Sequence, residues 1–397
     1  MLHKALSVMV VEDHGFQRRM ALRLLAQLGV QAVHEAADGA SALRTLQAAP
    51  APVDVLMADL DLPGMDGIEF ISHVAQRGLA RAVLVVSALD PALLYTVQTM
   101  ARACGLRVLG SVEKPLTVEK LAGALDRFAE VVAATDDEEA VDVTPALVRE
   151  GLRNDEIVPW FQPQVEFGNG KPVGAEALAR WVRPDGRVIR PCDFIPVIEA
   201  EGLVDSLTDR VLAQGCAWLK TWERQGLRLK LSVNVAAGTF CDPRAADRLQ
   251  QIVLQAGVDP AEVVLELTES SLLRNAADSL GVLARLRLKG FGLSIDDFGT
   301  GYSSLAQLSN IPFSELKIDR GFVSGADTQA RKRAVIEASL DLARKLDLAT
   351  VAEGVESPEE WQLLAELGCT VAQGYLIAQA VPGEALAEAI GRWRQPA

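Results

Sequence analysis

The second half of the chain contains a series of short apolar runs, each of which ends in a carboxylate, an amide or a lysine. Amphipathic segments such as 206–226 and 331–347 separate these runs, and the alternation continues for about 250 residues, the usual size of a (β/α)8 barrel. Polar groups at the ends of successive buried strands form the mouth of such a barrel. The runs read VGAEALARW (Glu176), KLSVNVAA (Asn234), VVLELTES (Glu266, Glu269), GLSIDDFGTGYSSL (Asp296, Asp297), ELKIDRGF (Lys317, Asp319), ATVAEGVES (Glu353, Glu356) and VAQGYL (Gln373).

This acidic array contains no imidazole. All four histidines, His3, His14, His34 and His73, lie before residue 80. A site rich in carboxylates and free of histidine favours a hard cation with oxygen ligands, Mg²⁺ or Mn²⁺.

The first 131 residues alternate strand-like and helix-like runs of another kind. Five β-then-α units of this length predict a flavodoxin-like, doubly wound parallel sheet, with functional groups at the carboxyl ends of its strands. Residues 133–145, AATDDEEAVDVTP, contain five acids and no base. They predict a solvated linker or a charged extension of the preceding helix, with a regulatory contact as the alternative. The predicted domains are therefore 1–131 and 146–397, joined by an acidic linker over 132–145.

Composition excludes several classes of function. A formal net charge of −14 argues against binding to nucleic acid or to anionic membranes, which requires a basic surface. No apolar run approaches the roughly 18 residues of a membrane span, and no signal peptide precedes the first strand, so we expect a cytoplasmic protein. The five scattered cysteines (104, 192, 216, 241 and 369) predict reduced thiols and neither a zinc site nor a disulfide framework.

Five residues of the first domain directly follow or close predicted strands, and should meet in one crevice. They are Glu12, Asp13, Asp59, Ser87 and Lys114. Three acids in one place call for a divalent ion, and an aspartate so placed can attack a phosphoryl group. A hydroxyl and an ammonium could hold the other oxygens of the phosphate.

With these residues the domain resembles the receiver domain of two-component response regulators. The resemblance implies Asp59 as phosphoacceptor, a sensor histidine kinase as phosphodonor and one Mg²⁺ or Mn²⁺ ion at Glu12, Asp13 and Asp59. It also implies phosphate contacts from Ser87 and Lys114, and a cis Lys114–Pro115 bond. Receivers usually carry an aromatic residue three positions before the lysine; here that residue is Ser111, which puts the usual aromatic switch in doubt.

In the second domain the adjacent acids Asp296 and Asp297 leave a strand and enter a glycine-rich turn. Both can face one site only at a strand end, where one can bridge two ions and the other can bind the second. Two cations about 3.5–4 Å apart can stabilise the attacking and leaving oxygens of a displacement at phosphorus. Lys317 and Asp319, at a spacing of two, share a strand face in this interpretation, and Glu353 is a further metal ligand or base.

Structural interpretations exist for several of these residues. Glu176 could form an ion pair with Arg180 inside the barrel, and Asn234 could cap a turn. The DDFGTG segment could be only a tight loop. Glu269 and Glu356 could each brace a ligand or start a helix.

Seven ordered motifs in 146–393 resemble those of EAL-type cyclic di-GMP phosphodiesterases. They are EAL (176–178), NV, ELTE, DDFGTGYSSL, KID, EGVE and QGY. The resemblance implies hydrolysis of cyclic di-GMP to linear pGpG with two Mg²⁺ or Mn²⁺ ions bound by Glu176, Asn234, Glu266, Asp296, Asp297 and Glu353. Catalysis is implied for Lys317, which positions the attacking water, together with Glu353 and Glu176. Substrate contacts are implied for Gln162, Arg180, Asp319 and Gln373, and support of the DDFGTG loop for Glu269 and Glu356.

Together the two resemblances predict a response regulator in which phosphorylation of Asp59 controls a cyclic di-GMP phosphodiesterase. Pairing of barrels into a homodimer or a higher oligomer is also implied. Gln379 stands where the family commonly has Arg or Lys, which could alter substrate affinity at that edge. The alternatives are a non-catalytic cyclic di-GMP receptor and a signalling scaffold.

Overall fold

The computed structural model describes residues 6–87, 97, 100, 101, 106–133, 143–268, 276–299 and 311–396. The chain divides into two compact units, Met1–Ala140 and Val141–Ala397. Most of the predicted linker, Cys104 and Glu269 lie outside the described residues. No helix in the described parts of the chain has both the length and the apolar character that a membrane crossing requires.

The first unit is a five-stranded parallel sheet with the strand order β2-β1-β3-β4-β5. Successive residues of β1 point to opposite faces, so that Met9 and Val11 pack into one core and Val8 and Val10 into the other. The strands are β1 (Ser7–Val11), β2 (Ala32–Ala36), β3 (Val53–Ala58), β4 (Ala80–Ser87) and β5 (Arg107–Glu113). The helices are Gly15–Gln27, Gly39–Ala48, Gly67–Gln76 and Val118–Ala133. The doubly wound sheet is confirmed.

The second unit alternates strands and helices. Its strands are β6 (Ile157–Glu166), β7 (Pro172–Val182), β8 (Val188–Ile189), β9 (Lys230–Asn234), β10 (Val263–Thr268), β11 (Gly292–Phe298), β12 (Glu315–Ile318), β13 (Ala349–Ala352), β14 (Val371–Gln373) and β15 (Val381–Pro382). Its helices are Pro145–Arg153, Pro191–Ala200, Val204–Arg224, Ala245–Gln255, Ala276–Leu288, Arg320–Val323, Ala330–Lys345, Pro358–Glu366 and Leu386–Arg392. Short 3₁₀ helices cover Ala237–Cys241, Pro260–Glu262 and Gly383–Ala385.

Eight of these strands close into a barrel in the order β6-β14-β13-β12-β11-β10-β9-β7, with β7 returning to β6. The barrel is confirmed, with one departure from the regular parallel pattern. The first strand, β6, runs antiparallel to both of its neighbours because it forms a hairpin with β7. The hairpin register sets Gln162 opposite Glu176, so β6 contributes to the mouth from its middle and not from its carboxyl end.

Candidate active site

The polar residues at the ends of the barrel runs lie together because the strands are in register. Asn234 pairs with Glu266 across β9 and β10, and Asp296 is level with Thr268 across β10 and β11. Glu176 lies in the middle of β7, because that strand continues beyond the barrel to pair with β6 and β8. The barrel therefore carries its acids on one ring at its mouth, as the sequence predicts.

Lys317 lies at the centre of this ring. Its side chain is 0% exposed, and its ammonium approaches four carboxylates. Burial alone would lower the pKa of Lys317, but these carboxylates outweigh it and raise the pKa well above its usual range. The distances from Nζ are 2.6 Å to Glu353, 2.9 Å to Glu266, 3.3 Å to Asp296 and 3.5 Å to Glu176. The lysine is therefore a fixed positive charge at neutral pH.

Glu176 is held by neutral donors as well as by Lys317. Its Oε1 accepts a hydrogen bond from Nδ2 of Asn234 at 2.8 Å, and its Oε2 accepts one from Nε2 of Gln373 at 2.5 Å. Burial favours the neutral acid, but Lys317 and the two amides outweigh it and lower the pKa of Glu176. Among the described residues Glu176 has no salt bridge to Arg180, whose guanidinium donates to the carbonyl of Ala179. The ion-pair partner of Glu176 inside the barrel is thus Lys317 and not Arg180, and the Asn234 amide donates to Glu176.

Glu266 is a buried acid with one unsatisfied carboxylate oxygen. It is 1% exposed, and its Oε1 has no hydrogen-bond partner among the described residues. Burial, together with repulsion from Glu176, raises its pKa well above the usual range of a glutamate. An orphaned, buried carboxylate oxygen in a ring of acids is what a bound cation would satisfy.

Asp296, Asp297 and Glu353 offer oxygens that all lie within 4.8 Å of one another. The φ angle of Asp297 is 55°, and this left-handed conformation turns two consecutive side chains towards one site at the end of β11. Burial and the neighbouring Asp296 raise the pKa of Asp297 to about 6. Burial also raises the pKa of Glu353, to about 8, against the attraction of Lys317. The donor set is all oxygen, and it fits Mg²⁺ or Mn²⁺.

Two predicted residues lie outside this ring. Strand β12 ends at Ile318, and Asp319 caps the helix Arg320–Val323 by accepting from the backbone N–H of Gly321 at 2.8 Å. Lys317 is on the strand and Asp319 follows it by one residue beyond the strand end, close enough to Asp297 for its charge to raise the pKa of that acid. Glu356 is exposed and forms a salt bridge with Arg320 at 2.8 Å.

The rim of the mouth carries the predicted substrate contacts. Arg180 stacks over the ring of Trp160 at 5.9 Å and is half-buried. Nε2 of Gln162 donates to the carbonyl of Ala378 at 3.1 Å. Tyr375, which sequence reasoning did not single out, is 56% exposed and lies 5.8 Å from the guanidinium of Arg320. Residues 300–310 of the DDFGTG loop, like Glu269, are outside the described part of the chain.

The first unit has a second, smaller acidic site. Lys114 approaches Asp59 at 2.6 Å and Glu12 at 2.8 Å, and its side chain is 18% exposed. Burial would lower the pKa of Lys114, but its hydrogen bonds to Asp59 and Glu12 outweigh this and raise it. Oxygens of Glu12 and Asp13 and a ring nitrogen of His14 lie within 4.8 Å of one another.

Local backbone geometry fixes the Asp59 side chain. Oδ1 of Asp59 accepts from the N–H groups of Leu60 at 2.7 Å and Asp61 at 3.3 Å. The chain after β3 is packed so closely that a Cβ on residue 67 would collide with the backbone there, which requires Gly67. Ser87 is the last residue of β4; its side chain and that of Ser111 lie outside the described atoms. The Lys114–Pro115 bond is cis, as expected.

A protein-family model described as EAL domain matches residues 146–380. The chain belongs to the EAL domain family. A second model, described as response regulator receiver domain, matches residues 8–126, so that the chain combines a receiver with an EAL barrel. EAL phosphodiesterases are metal-dependent, in agreement with the acidic cluster at the mouth.

Two relatives and two solved structures illustrate the similarity. Cyclic di-GMP phosphodiesterase RocR of Pseudomonas aeruginosa is 37% identical over 95% of this chain and 96% of its own length. The bifunctional diguanylate cyclase/cyclic di-GMP phosphodiesterase MucR of the same organism is 38% identical over 60% of this chain, which spans only 35% of that protein. The PaMucR phosphodiesterase in complex with c-di-GMP aligns with a TM-score of 0.57 and 38% identity, over 60% of this chain and 97% of that one. An EAL domain protein of Listeria monocytogenes EGD-e aligns with a TM-score of 0.56 and 26% identity, over 64% of this chain and 99% of the other.

Proposed function

We propose that this protein is a response regulator whose EAL barrel hydrolyses cyclic di-GMP to pGpG in a metal-dependent reaction, under the control of phosphorylation of Asp59. The likeness to RocR over nearly the whole of both chains supports the pairing of receiver and phosphodiesterase. The likeness to a barrel solved with c-di-GMP supports the substrate.

One observation carries the proposal: four carboxylates surround one buried ammonium, a fifth, that of Asp297, lies beside two of them, and one of the five has a buried oxygen without a hydrogen-bond partner among the described residues. A ring with this excess of negative charge is suited to binding cations and unsuited to binding a dianionic nucleotide without them. The ligands would be Glu176, Asn234, Glu266, Asp296, Asp297 and Glu353. Bound there, two Mg²⁺ or Mn²⁺ ions would neutralise the phosphate oxygens and stabilise the charge that develops on them.

In the reaction a water oxygen bonds to one phosphorus and gives up a proton, the bond from that phosphorus to the 3′ oxygen breaks, and the 3′ oxygen takes up a proton to become a hydroxyl group. The product is linear and keeps a 5′ phosphate. Lys317 is protonated and rigidly held, so it donates a hydrogen bond to the attacking water and cannot act as the base. Glu353, the carboxylate closest to the Lys317 ammonium, accepts the proton of the water. Glu176 aligns the ring through its bonds to Asn234 and Gln373.

The rim residues hold the nucleotide. Arg180 presents a planar guanidinium that suits phosphate oxygens, and Gln162 and Gln373 offer amide groups beside Glu176. Asp319 raises the pKa of Asp297 by its charge, and we assign Asp319 to substrate binding beside Asp297. We assign Glu356, through its salt bridge to Arg320, and Glu269 to support of the DDFGTG loop.

In the receiver, Asp59 would take the phosphoryl group from a sensor histidine kinase. Glu12, Asp13 and Asp59 would hold one Mg²⁺ or Mn²⁺ ion, and Ser87 and Lys114 would contact the phosphate. Lys114 now bonds Asp59 and Glu12, and a phosphoryl group on Asp59 would give its ammonium a new partner. The receiver would span 1–131, the linker 132–145 and the EAL domain 146–397, in a homodimer or a higher homo-oligomer.

The test is hydrolysis of cyclic di-GMP by the full chain with Mg²⁺ or Mn²⁺, compared with Glu266→Gln. A matched control is Glu315→Gln, which neutralises another barrel glutamate with a buried, unpartnered oxygen, two residues before Lys317. We expect pGpG to form with the wild type and the control but to fall by at least 100-fold in Glu266→Gln. Tight binding of cyclic di-GMP without turnover would contradict the proposed enzyme and indicate a cyclic di-GMP receptor.

A further inference from the structure

Three glutamines form a hydrogen-bonded ladder on the inner wall of the barrel. Nε2 of Gln164 donates to Oε1 of Gln373 at 2.8 Å. Nε2 of Gln373 donates to Oε2 of Glu176 at 2.5 Å and to Oε1 of Gln162 at 3.1 Å. Both hydrogens of the Gln373 amide are therefore used, one of them on a carboxylate that we place among the metal ligands.

The direction of this ladder depends on Gln164. If the Gln373 amide turned over, its oxygen would face the carboxylate of Glu176 and its NH₂ group would face the NH₂ group of Gln164. Both contacts are unfavourable, and water has little access, since Gln164 is 5% and Gln373 3% exposed. Gln164 supplies the donor that makes the observed orientation of Gln373 the satisfied one.

We propose that Gln164 is a positioning residue of the active site, which fixes the Gln373 amide and through it the Glu176 carboxylate. Both consequences rest on the function and the ligand set proposed above, but metal binding can be measured without turnover. Gln164 has no hydrogen bond to the acids in the described structure, and it reaches the site through Gln373. It acts as an outer partner of a ligand, and losing such a partner costs about 10- to 100-fold in metal affinity or activity.

Gly174 makes room for this arrangement. The register of β6 and β7 places it opposite Gln164, and a Cβ on residue 174 would collide with Oε1 of Gln164. Gly174 is not among the glycines with positive φ, so that alanine fits its backbone and only the space is lost. Gly174→Ala should therefore push the Gln164 amide out of line while leaving its chemistry intact.

The experiment compares Gln164→Met, which keeps the length of the side chain and removes the donor, with Gly174→Ala. The control is Ser232→Ala, because Ser232 is 2% exposed on the same inner wall and forms no hydrogen bond with the three glutamines in the described structure. Every full-length protein carries Asp13→Asn, to weaken the ion site of the receiver. The dissociation constant of Mn²⁺ is measured by calorimetry, and kcat, KM and Tm are measured beside it.

We expect Mn²⁺ to bind about 10-fold more weakly in Gln164→Met and in Gly174→Ala, with a fall in kcat and little change in the control. In a Gln373→Met background, Gln164→Met should have almost no further effect, because the two act in series. Mn²⁺ affinity within twofold of the wild type in both variants, or full additivity with Gln373→Met, would overturn the proposal. If Gln164→Met does not fold, Gly174→Ala decides alone. A wild type that binds Mn²⁺ but hydrolyses nothing would refute the proposed function and leave the Gln164 measurement readable.

Discussion

The two domains each place one lysine among carboxylates at the ends of strands, but the two lysines differ in burial and in the number of carboxylates that they approach. Lys114 approaches two carboxylates and its side chain is 18% exposed, whereas Lys317 approaches four and is 0% exposed. Both ammonium groups have raised pKa values, because in both cases the attraction of the acids outweighs burial.

The difference follows from the architecture. In the open sheet of the first unit Lys114 contacts two acids, and part of its side chain stays exposed to solvent. In the closed barrel the strand ends converge on one ring, and the buried ammonium of Lys317 lies within 3.5 Å of four carboxylates. Lysine and carboxylates thus form a partly exposed contact in one domain and a fully buried one in the other.

Removing the fixed charge should have the largest effect. Lys317→Met should lower kcat for cyclic di-GMP by about 10²–10³-fold, because a preorganised donor is lost from a buried site. The unpaired acids should also destabilise the metal-free protein by about 3–5 kcal/mol. Initial rates and thermal unfolding with and without Mn²⁺ check both effects.

Lys114→Met is the matched control for that experiment. It should leave basal hydrolysis within about twofold and alter only the response to a small phosphodonor. A large fall in basal rate from Lys114→Met would contradict the distinction between the two lysines.

Asp59→Asn should have the next largest effect, confined to regulation. The variant cannot form the acyl phosphate, so the change in hydrolysis rate caused by a phosphodonor should disappear; couplings of this kind amount to about 5–150-fold. Rates with and without acetyl phosphate, together with phosphoprotein electrophoresis, measure this. An unchanged response in Asp59→Asn would exclude Asp59 as the phosphoacceptor.

The sequence was sufficient to predict both folds and the ring of acids, because each depends on local rules. Apolar runs such as VVLELT give strands, and a parallel register brings the residues at their carboxyl ends to one level. That rule does not depend on knowing which strands are neighbours. It places Asn234, Glu266 and Asp296 together from their order alone.

The rest depends on contacts between distant parts of the chain. Strand β6 is antiparallel because it forms a hairpin with β7, and this pairing sets Gln162 opposite Glu176. The hydrophobic periodicity of the sequence does not reveal the register of that hairpin. The ladder from Gln164 to Gln373 joins residues 209 positions apart, and only the closed barrel shows it. The alternation in the sequence also does not show that β12 ends at Ile318, or that the side chain of Asp319 caps the helix that follows.

Metal binding at the mouth should also depend on pH, and this effect should be smaller than the effect of removing a ligand. Because Asp297 and Glu353 have pKa values raised to about 6 and about 8, part of this pair is protonated at neutral pH and an incoming cation must displace protons. The apparent Mn²⁺ affinity should rise by up to about tenfold per pH unit between pH 6 and 8 and level off above pH 8. Calorimetry at pH 7 in two buffers of different ionisation enthalpy counts the released protons. Identical heats in both buffers would show that the acids are already ionised.

The smallest effect should come from the opposite end of β12. Oε1 of Glu315 is buried without a partner among the described residues, and burial raises the pKa of Glu315 against the attraction of Lys317 and Lys230. A carboxyl whose folded pKa is raised binds its proton more tightly in the folded state, so the protein loses stability as pH rises from the unfolded value of 4.5 towards the folded value. Glu315→Gln removes that loss and should stabilise the protein by roughly 1 kcal/mol at pH 7.5, with no gain at pH 4. Denaturant unfolding at the two pH values measures the difference. Equal gains in stability at both pH values would mean that packing and not ionisation is responsible. A loss of stability at pH 7.5 would mean that the ionised carboxylate has a cationic partner. The ion-binding character of the mouth would then extend to the other end of the barrel.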